Sequence, residues 1–141
     1  MGKVTKTAEL TLKMPDKVGL FADVTGSLAE AGVNVLALCA YAMEGQAWCM
    51  LVASDSGKAK SVAQGQGWDV SEKDVVMVEL KKEVGAAKTI ADAVKAAGIS
   101  LSYTYCTACS CEGESCSPSC DCQMVLCAEG AADKLAAALN G

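Results

Sequence analysis

Apolar positions change their period along the chain in a regular order. Leu10, Leu12 and Met14 alternate with polar neighbours, the pattern of a strand with one face turned inward. Leu20, Val24 and Leu28 then recur every four residues and predict a helix between Gly19 and Gly32. An apolar strand over 33–41 follows, then a short turn at Glu44 and Gly45 and a third strand over 47–53. A second helix is expected over 58–66 and a short fourth strand over 68–70. In the second strand both faces are apolar: Val33, Val35, Ala37 and Cys39 on one, Leu36, Leu38 and Ala40 beside Asn34 on the other. Both faces of that strand therefore need covering.

The same order then recurs. Residues 18–41 (VGLFADVTGSLAEAGVNVLALCAY) align with 84–107 (VGAAKTIADAVKAAGISLSYTYCT) at a constant offset of 66, which pairs Gly19 with Gly85 and Gly32 with Gly98. Val76, Val78 and Leu80 repeat the first strand, Ala86, Ile90 and Val94 the helix, 122–128 the third strand and 131–139 the second helix. A repeat of this length means duplication of one supersecondary unit. We therefore expect an α+β protein of two tandem units, 1–73 and 74–141, each a βαββα(β) unit with an antiparallel sheet and helices on one face. The second unit lacks its last strand, so its edge is expected to be open or covered by another chain. Where the first copy has Asn34, Leu36 and Leu38, the second has Ser100, Ser102 and Thr104. That contrast places the first copy nearer an interface, and a homodimer is the commonest device for one.

Composition narrows the chemistry. The chain has 141 residues and a net charge of −5, with no histidine, and its twelve basic residues are all lysine. Imidazole catalysis and imidazole metal ligation are excluded, and no basic patch points to nucleic acid. The longest apolar run, 35–43, is short of the ~20 residues of a membrane helix. The first residues are too polar for a secretory signal, so a cytoplasmic protein away from membranes is expected. Asp16 and Asp23 have no evident catalytic partner, and thiol redox chemistry is the one enzymatic reading with residues to support it.

The stretch PDKVGLFADVTGSLAEAGVNV resembles the ACT domain, a small regulatory module with a ferredoxin-like βαββαβ fold. The resemblance rests on Asp16, Gly19, Leu20, Phe21, Ala31, Gly32, Val33 and Asn34, and in the second copy on Gly85, Ala97, Gly98 and Ile99, with Ser100 where the family favours asparagine. It implies a non-catalytic protein of two tandem ACT-like units, side-by-side association, and an amino acid bound at the interface. The turn before the first helix contributes from one unit and the residue after that helix from its neighbour. The implied ligand residues are Asp16, Lys17, Val18, Gly19, Leu20 and Phe21 with Asn34, and more weakly Lys82, Glu83, Val84, Gly85, Ala86 and Ser100. Amides at a helix N-terminus suit a carboxylate, and a carboxamide can both donate and accept.

The copies differ most at CTACSCEGESCSPSCDC, residues 106–122, a hairpin insertion nine residues longer than the turn of the first copy. Its residues are small or acidic and cannot form a core, so the segment needs cross-linking to be ordered. Cys106, Cys109, Cys111, Cys116, Cys120 and Cys122 suit all-thiolate zinc or an iron–sulfur cluster. Three disulfides are the alternative, disfavoured in a reducing compartment, and an exposed loop of free thiols is the third. With the hairpin symmetric about Glu114, Cys106 would face Cys122. Cys39, Cys49 and Cys127 read as buried small hydrophobes. Three functions compete: an amino-acid-binding regulatory protein, a metal- or redox-sensing module, and a structural dimerisation partner of a metabolic enzyme.

Overall fold

The computed structural model describes residues 2–81, 83–107 and 122–141. The elements among them are β1 (Val4–Pro15), α1 (Leu20–Glu30), β2 (Val35–Met43), β3 (Gln46–Ala53), α2 (Ser56–Gly65), β4 (Asp69–Leu80), α3 (Ala86–Ala96), β5 (Tyr103–Cys106), β6 (Cys122–Cys127) and α4 (Ala132–Asn140). They fall into two compact units, Ala8–Lys73 and the segment up to Thr7 together with Asp74–Gly141. No helix among the described residues is long and apolar enough to cross a membrane.

In the unit 8–73 the neighbouring strands run β2-β3-β1-β4. β1 and β3 are antiparallel with Leu12 opposite Cys49, and β2 and β3 are antiparallel with Tyr41 opposite Trp48. Glu44 and Gly45, at φ 53 and 77, form the two-residue turn that joins β2 to β3. The alternation read from β1 holds: Leu10, Leu12 and Met14 meet Leu20, Val24 and Leu28 of α1 and Ala59 and Ala63 of α2 in one buried cluster. β2 departs from strict alternation. A bulge between Val35 and Ala37 lets Val35 and Leu38, three residues apart, pack against the same cluster. The opposite sheet face is also buried at Ala37, Met50 and Val52.

The helix α1 begins at Gly19, whose φ of 85 lies in the left-handed region. Gly85 repeats this at α3 with φ 93. An added Cβ would meet nothing within 4 Å at either position, so backbone conformation alone selects glycine there.

In the other unit the order is β1-β4-β6-β5. β6 pairs antiparallel with both β4 and β5, with Val76 opposite Leu126 and Tyr105 opposite Val125. Val76, Val78, Ile90, Val94, Met124, Leu126, Leu135 and Leu139 close its core. The second repeat has no fourth strand of its own, and the start of the chain takes that place. Gly2 N–H donates to the Glu79 carbonyl at 3.2 Å, Glu79 N–H donates to Lys3 at 3.0 Å, and Val4 packs on the core. The edge expected to be open or covered by another chain is thus paired by the chain's own N-terminal segment. The residues up to Thr7, read from the sequence as part of the first repeat, belong to the unit of the second. The sequence's short fourth strand and the second repeat's first strand are likewise one continuous strand, β4.

Both units therefore share one order: fourth strand, first, third, second. A chain starting at Ala8 should expose one edge of β4 in the unit 74–141. Hydrogen exchange would then show loss of protection at the Glu79 amide, while Leu51 and Leu12 in the unit 8–73 keep theirs.

Candidate functional site

An open groove of about 490 Å³ lies within the unit 8–73, between the start of α1 and the sheet. Its rim holds Asp16, Lys17, Gly19 and Phe21 from the turn and first helical residues. Asp16 is held where β1 ends because its N–H donates to the Gly45 carbonyl at 2.9 Å, tying the rim to the β2–β3 turn. Lys17 reaches forward along α1 to Asp23, 3.1 Å away. No side chain caps the start of α1; Leu20 N–H donates to the Lys17 carbonyl at 3.3 Å, and the helix amides that follow it keep donor capacity and a partial positive charge.

The floor is made by small residues. Ala40 and Ala42 of β2 and Ala47 and Cys49 of β3 lie beneath α1 with Met14, where larger side chains would close the gap between helix and sheet. Phe21 accordingly stays 59% exposed. Tyr41 and Trp48 border the same groove. Strand alternation turns their rings to the opposite sheet face, where they stack 5.4 Å apart with the Lys13 ammonium 5.6 Å from the Trp48 ring. Sequence reading named the turn residues that border this groove and did not name its floor, because alanines in a strand look like ordinary packing until the helix above them is in place.

The structure brings Asp16, Lys17, Gly19, Leu20 and Phe21 together and leaves Val18 outside the lining, fully exposed at the tip of the turn. Asn34 lies past the far end of α1, roughly 16 Å along the helix at about 1.5 Å per residue. Its N–H donates to Ser54 Oγ at 2.9 Å, its carbonyl accepts from Ser54 N–H at 2.8 Å, and the residue is exposed. In the second unit Gly85 starts α3 and Ser100 lies exposed beyond its end. The recess beside that turn, lined by Glu79, Lys81, Glu83 and Ala86 among others, is only about 20 Å³. Lys82 lies outside the described residues.

Of the six hairpin cysteines, Cys106 and Cys122 are described, and Cys109, Cys111, Cys116 and Cys120 lie outside the described residues. Cys106 stands opposite Met124 and not opposite Cys122. The next residues, Thr107 and Gln123, are bonded to each other at 2.8 and 2.9 Å. Burial of Met124 and Leu126 sets this register, and Cys122 falls one diagonal step away on the same face as Cys106. Partial burial, and then the neighbouring Cys122, push the Cys106 thiol pKa up. Among the described residues no group of three histidine, cysteine or acidic side chains stands together.

No protein-family profile matches the chain, and no curated protein matches it. Solved structures do. A protein of Bacteroides thetaiotaomicron superposes with a TM-score of 0.81 at 22% identity, over 97% of this chain and 88% of that one. The ligand-free regulatory subunit of aspartate kinase from Thermus thermophilus gives 0.63 at 15% identity, over 98% and 95% of the two chains. The regulatory subunit of aspartate kinase from Thermus flavus gives 0.58 at 19%, over 97% and 94%. At these identities the likeness is one of fold. The chain has an ACT-like architecture, the tandem α+β fold that these regulatory subunits share.

Cys49, on the floor of the groove, has its thiol pushed from 9.0 up to about 11, first by burial and then by the nearby Cys39. The folded protein holds this proton more tightly than the unfolded chain does. Its contribution to stability is therefore complete below about pH 9 and is lost as the pH rises through 11. Iodoacetamide at neutral pH should leave Cys49 unmodified in the native protein and label it after denaturation, as read by peptide mass spectrometry.

Proposed function

We propose that this chain is a non-catalytic regulatory protein that binds an amino acid at the 16–21 turn of its first unit. The observation that carries the reading is the groove itself. It joins an uncapped helix start, an acidic and a basic side chain and an apolar floor in one space. The helix amides suit the ligand's carboxylate, and Asp16 suits its ammonium group. The fold shared with aspartate kinase regulatory subunits supports a regulatory role. Asn34 is too far from the groove to reach the same ligand within one unit, so in this reading a homodimer brings it from a neighbouring copy. A metabolic enzyme is the partner that such a module would report to.

The test is isothermal titration with a panel of amino acids, on wild type, Gly19→Asp and Gly19→Asn. Both substitutions impose the same left-handed strain at φ 85, which aspartate and asparagine tolerate better than other side chains. Only the aspartate sets a negative charge where the carboxylate should bind. Gly19→Asp should weaken binding about tenfold or more, or about 1.4 kcal/mol, with Gly19→Asn close to wild type and the two variants melting together. Equal affinity of the two variants would remove the turn from the site.

A second reading keeps the hairpin as a thiolate site for zinc or an iron–sulfur cluster. It is supported by Cys106 and Cys122 lying one diagonal step apart on one face of the β5–β6 pair, where Cys122 adds to the burial that raises the Cys106 thiol pKa. Elemental mass spectrometry and thiol titration on anaerobically purified protein decide it. Stoichiometric metal, lost in a Cys106→Ser, Cys122→Ser double variant, is the expected result. No metal, with nine thiols titrated after denaturation, would overturn it. A protein that took up neither metal nor any amino acid would leave the structural dimerisation role.

A further inference from the structure

The groove of the first unit separates its charge from its depth. Asp16 and Lys17, the charged side chains among its lining residues, are exposed at the rim. The buried part is Met14, Leu20, Val24, Ala47 and Cys49. Lys17 is already paired with Asp23, so the rim offers a carboxylate at Asp16 and helix amides at the start of α1, opposite charges suited to a zwitterion. A charged side chain pushed to the floor would lose its water and find no partner there. An aliphatic, thioether or aromatic side chain would exchange water for Phe21, Val24 and three alanines. The volume of about 490 Å³ falls within the roughly 300–1,000 Å³ of small-molecule sites.

The second unit differs at the corresponding floor positions. An offset of 75 residues in the third strand puts Met124 where the first copy has Cys49, and Cys122 where it has Ala47. Methionine and cysteine there are larger than cysteine and alanine, and the recess beside the second turn, bordered by three charged residues, is about 20 Å³. Among the described residues, a ligand-sized space lies at the turn of the first copy, and the recess beside the corresponding turn of the second is about 20 Å³.

We propose that the ligand of this protein is a zwitterionic amino acid with an uncharged apolar side chain, of the leucine, methionine or phenylalanine class. It binds once per chain, with its side chain between Phe21 and the Ala40, Ala42 and Ala47 floor. The inference rests on the amino-acid reading above and adds the side-chain class and the stoichiometry. It also names a specificity-determining set in the small residues of β2 and β3, which the sequence alone would assign to packing.

The deciding experiment is titration of the full chain with leucine, methionine and phenylalanine against alanine, lysine and aspartate, on wild type and Ala42→Phe. Ala42 is exposed, so phenylalanine there fills the groove from the solvent side without disturbing the buried core. The expected result is one site per chain, apolar side chains favoured over alanine and over charged ones by about tenfold or more, and loss of binding in Ala42→Phe at an unchanged melting temperature. Preference for lysine or aspartate would overturn the side-chain class and leave the amino-acid reading intact. Two sites per chain would overturn the assignment to the first copy alone. Binding of no amino acid would overturn both. In that case loss of self-association in Ala42→Phe would identify the occupant as a second copy of this chain.

Discussion

The pairing of residues 2–7 with β4 is the contact on which the second half of the chain depends. The second repeat encodes three strands and two helices, and its first strand would otherwise present an unpaired row of backbone donors and acceptors. Glu79 donates to and accepts from this segment, and Val4 adds an apolar contact to the core formed by Val76 and Val78. Strands β1 and β4 are each twelve residues long, and both divide at the unit boundary, the first near Thr7 and the second near Lys73. Each half serves as the last strand of one unit or the first strand of the other. Duplication therefore produced two equivalent strand orders, with the unit 8–73 lying inside the first repeat and the other unit drawing its last strand from the start of the chain.

Within the unit 8–73 the candidate site follows from a mismatch of volumes. α1 buries Leu20, Val24 and Leu28 against the sheet, but the strand positions beneath its first turn carry alanine and cysteine. Close-packed interiors do not leave such gaps without a consequence. Here the consequence is an apolar groove beside a helix start that has donor capacity to spare. Phe21 stays substantially exposed over this groove, and Ala40 and Ala42 are exposed beneath it, apolar surface that marks a binding region more often than an ordinary face. Gly19 makes the geometry possible, since its left-handed backbone turns the chain from β1 into α1 without a side chain to occupy the mouth.

The two copies have diverged along separate lines. The first kept small residues on its floor and a two-residue turn between β2 and β3. The second carries Met124 in place of Cys49 and has lengthened the turn into the cysteine segment. The register at the base of that segment is decided by burial: Met124 and Leu126 must face the core, so Cys106 sits opposite Met124, and Cys122 becomes its diagonal neighbour. Burial, and then Cys122 on the same face, raise the cost of ionising Cys106, and a bound cation would offset that cost.

Periodicity alone determined the elements and their repetition. Leu10, Leu12 and Met14 alternate because a strand buries every second residue, and Leu20, Val24 and Leu28 recur because a helix buries every fourth. Gly19 and Gly85 could be read as turn residues because few side chains accept a positive φ. These signals are local, and local signals survive in a sequence. What only the tertiary structure decided depends on residues far apart in the chain. Residues 2–7 carry no mark that sends them to Glu79 and not to the first repeat, since a strand's partner is chosen by which edge is left unpaired. The β2 bulge was hidden because it exchanges one apolar side chain for another. Ala40, Ala42 and Ala47 become the floor of a groove only once α1 stands above them, because an empty space is a property of the residues around it and belongs to no single position in the sequence.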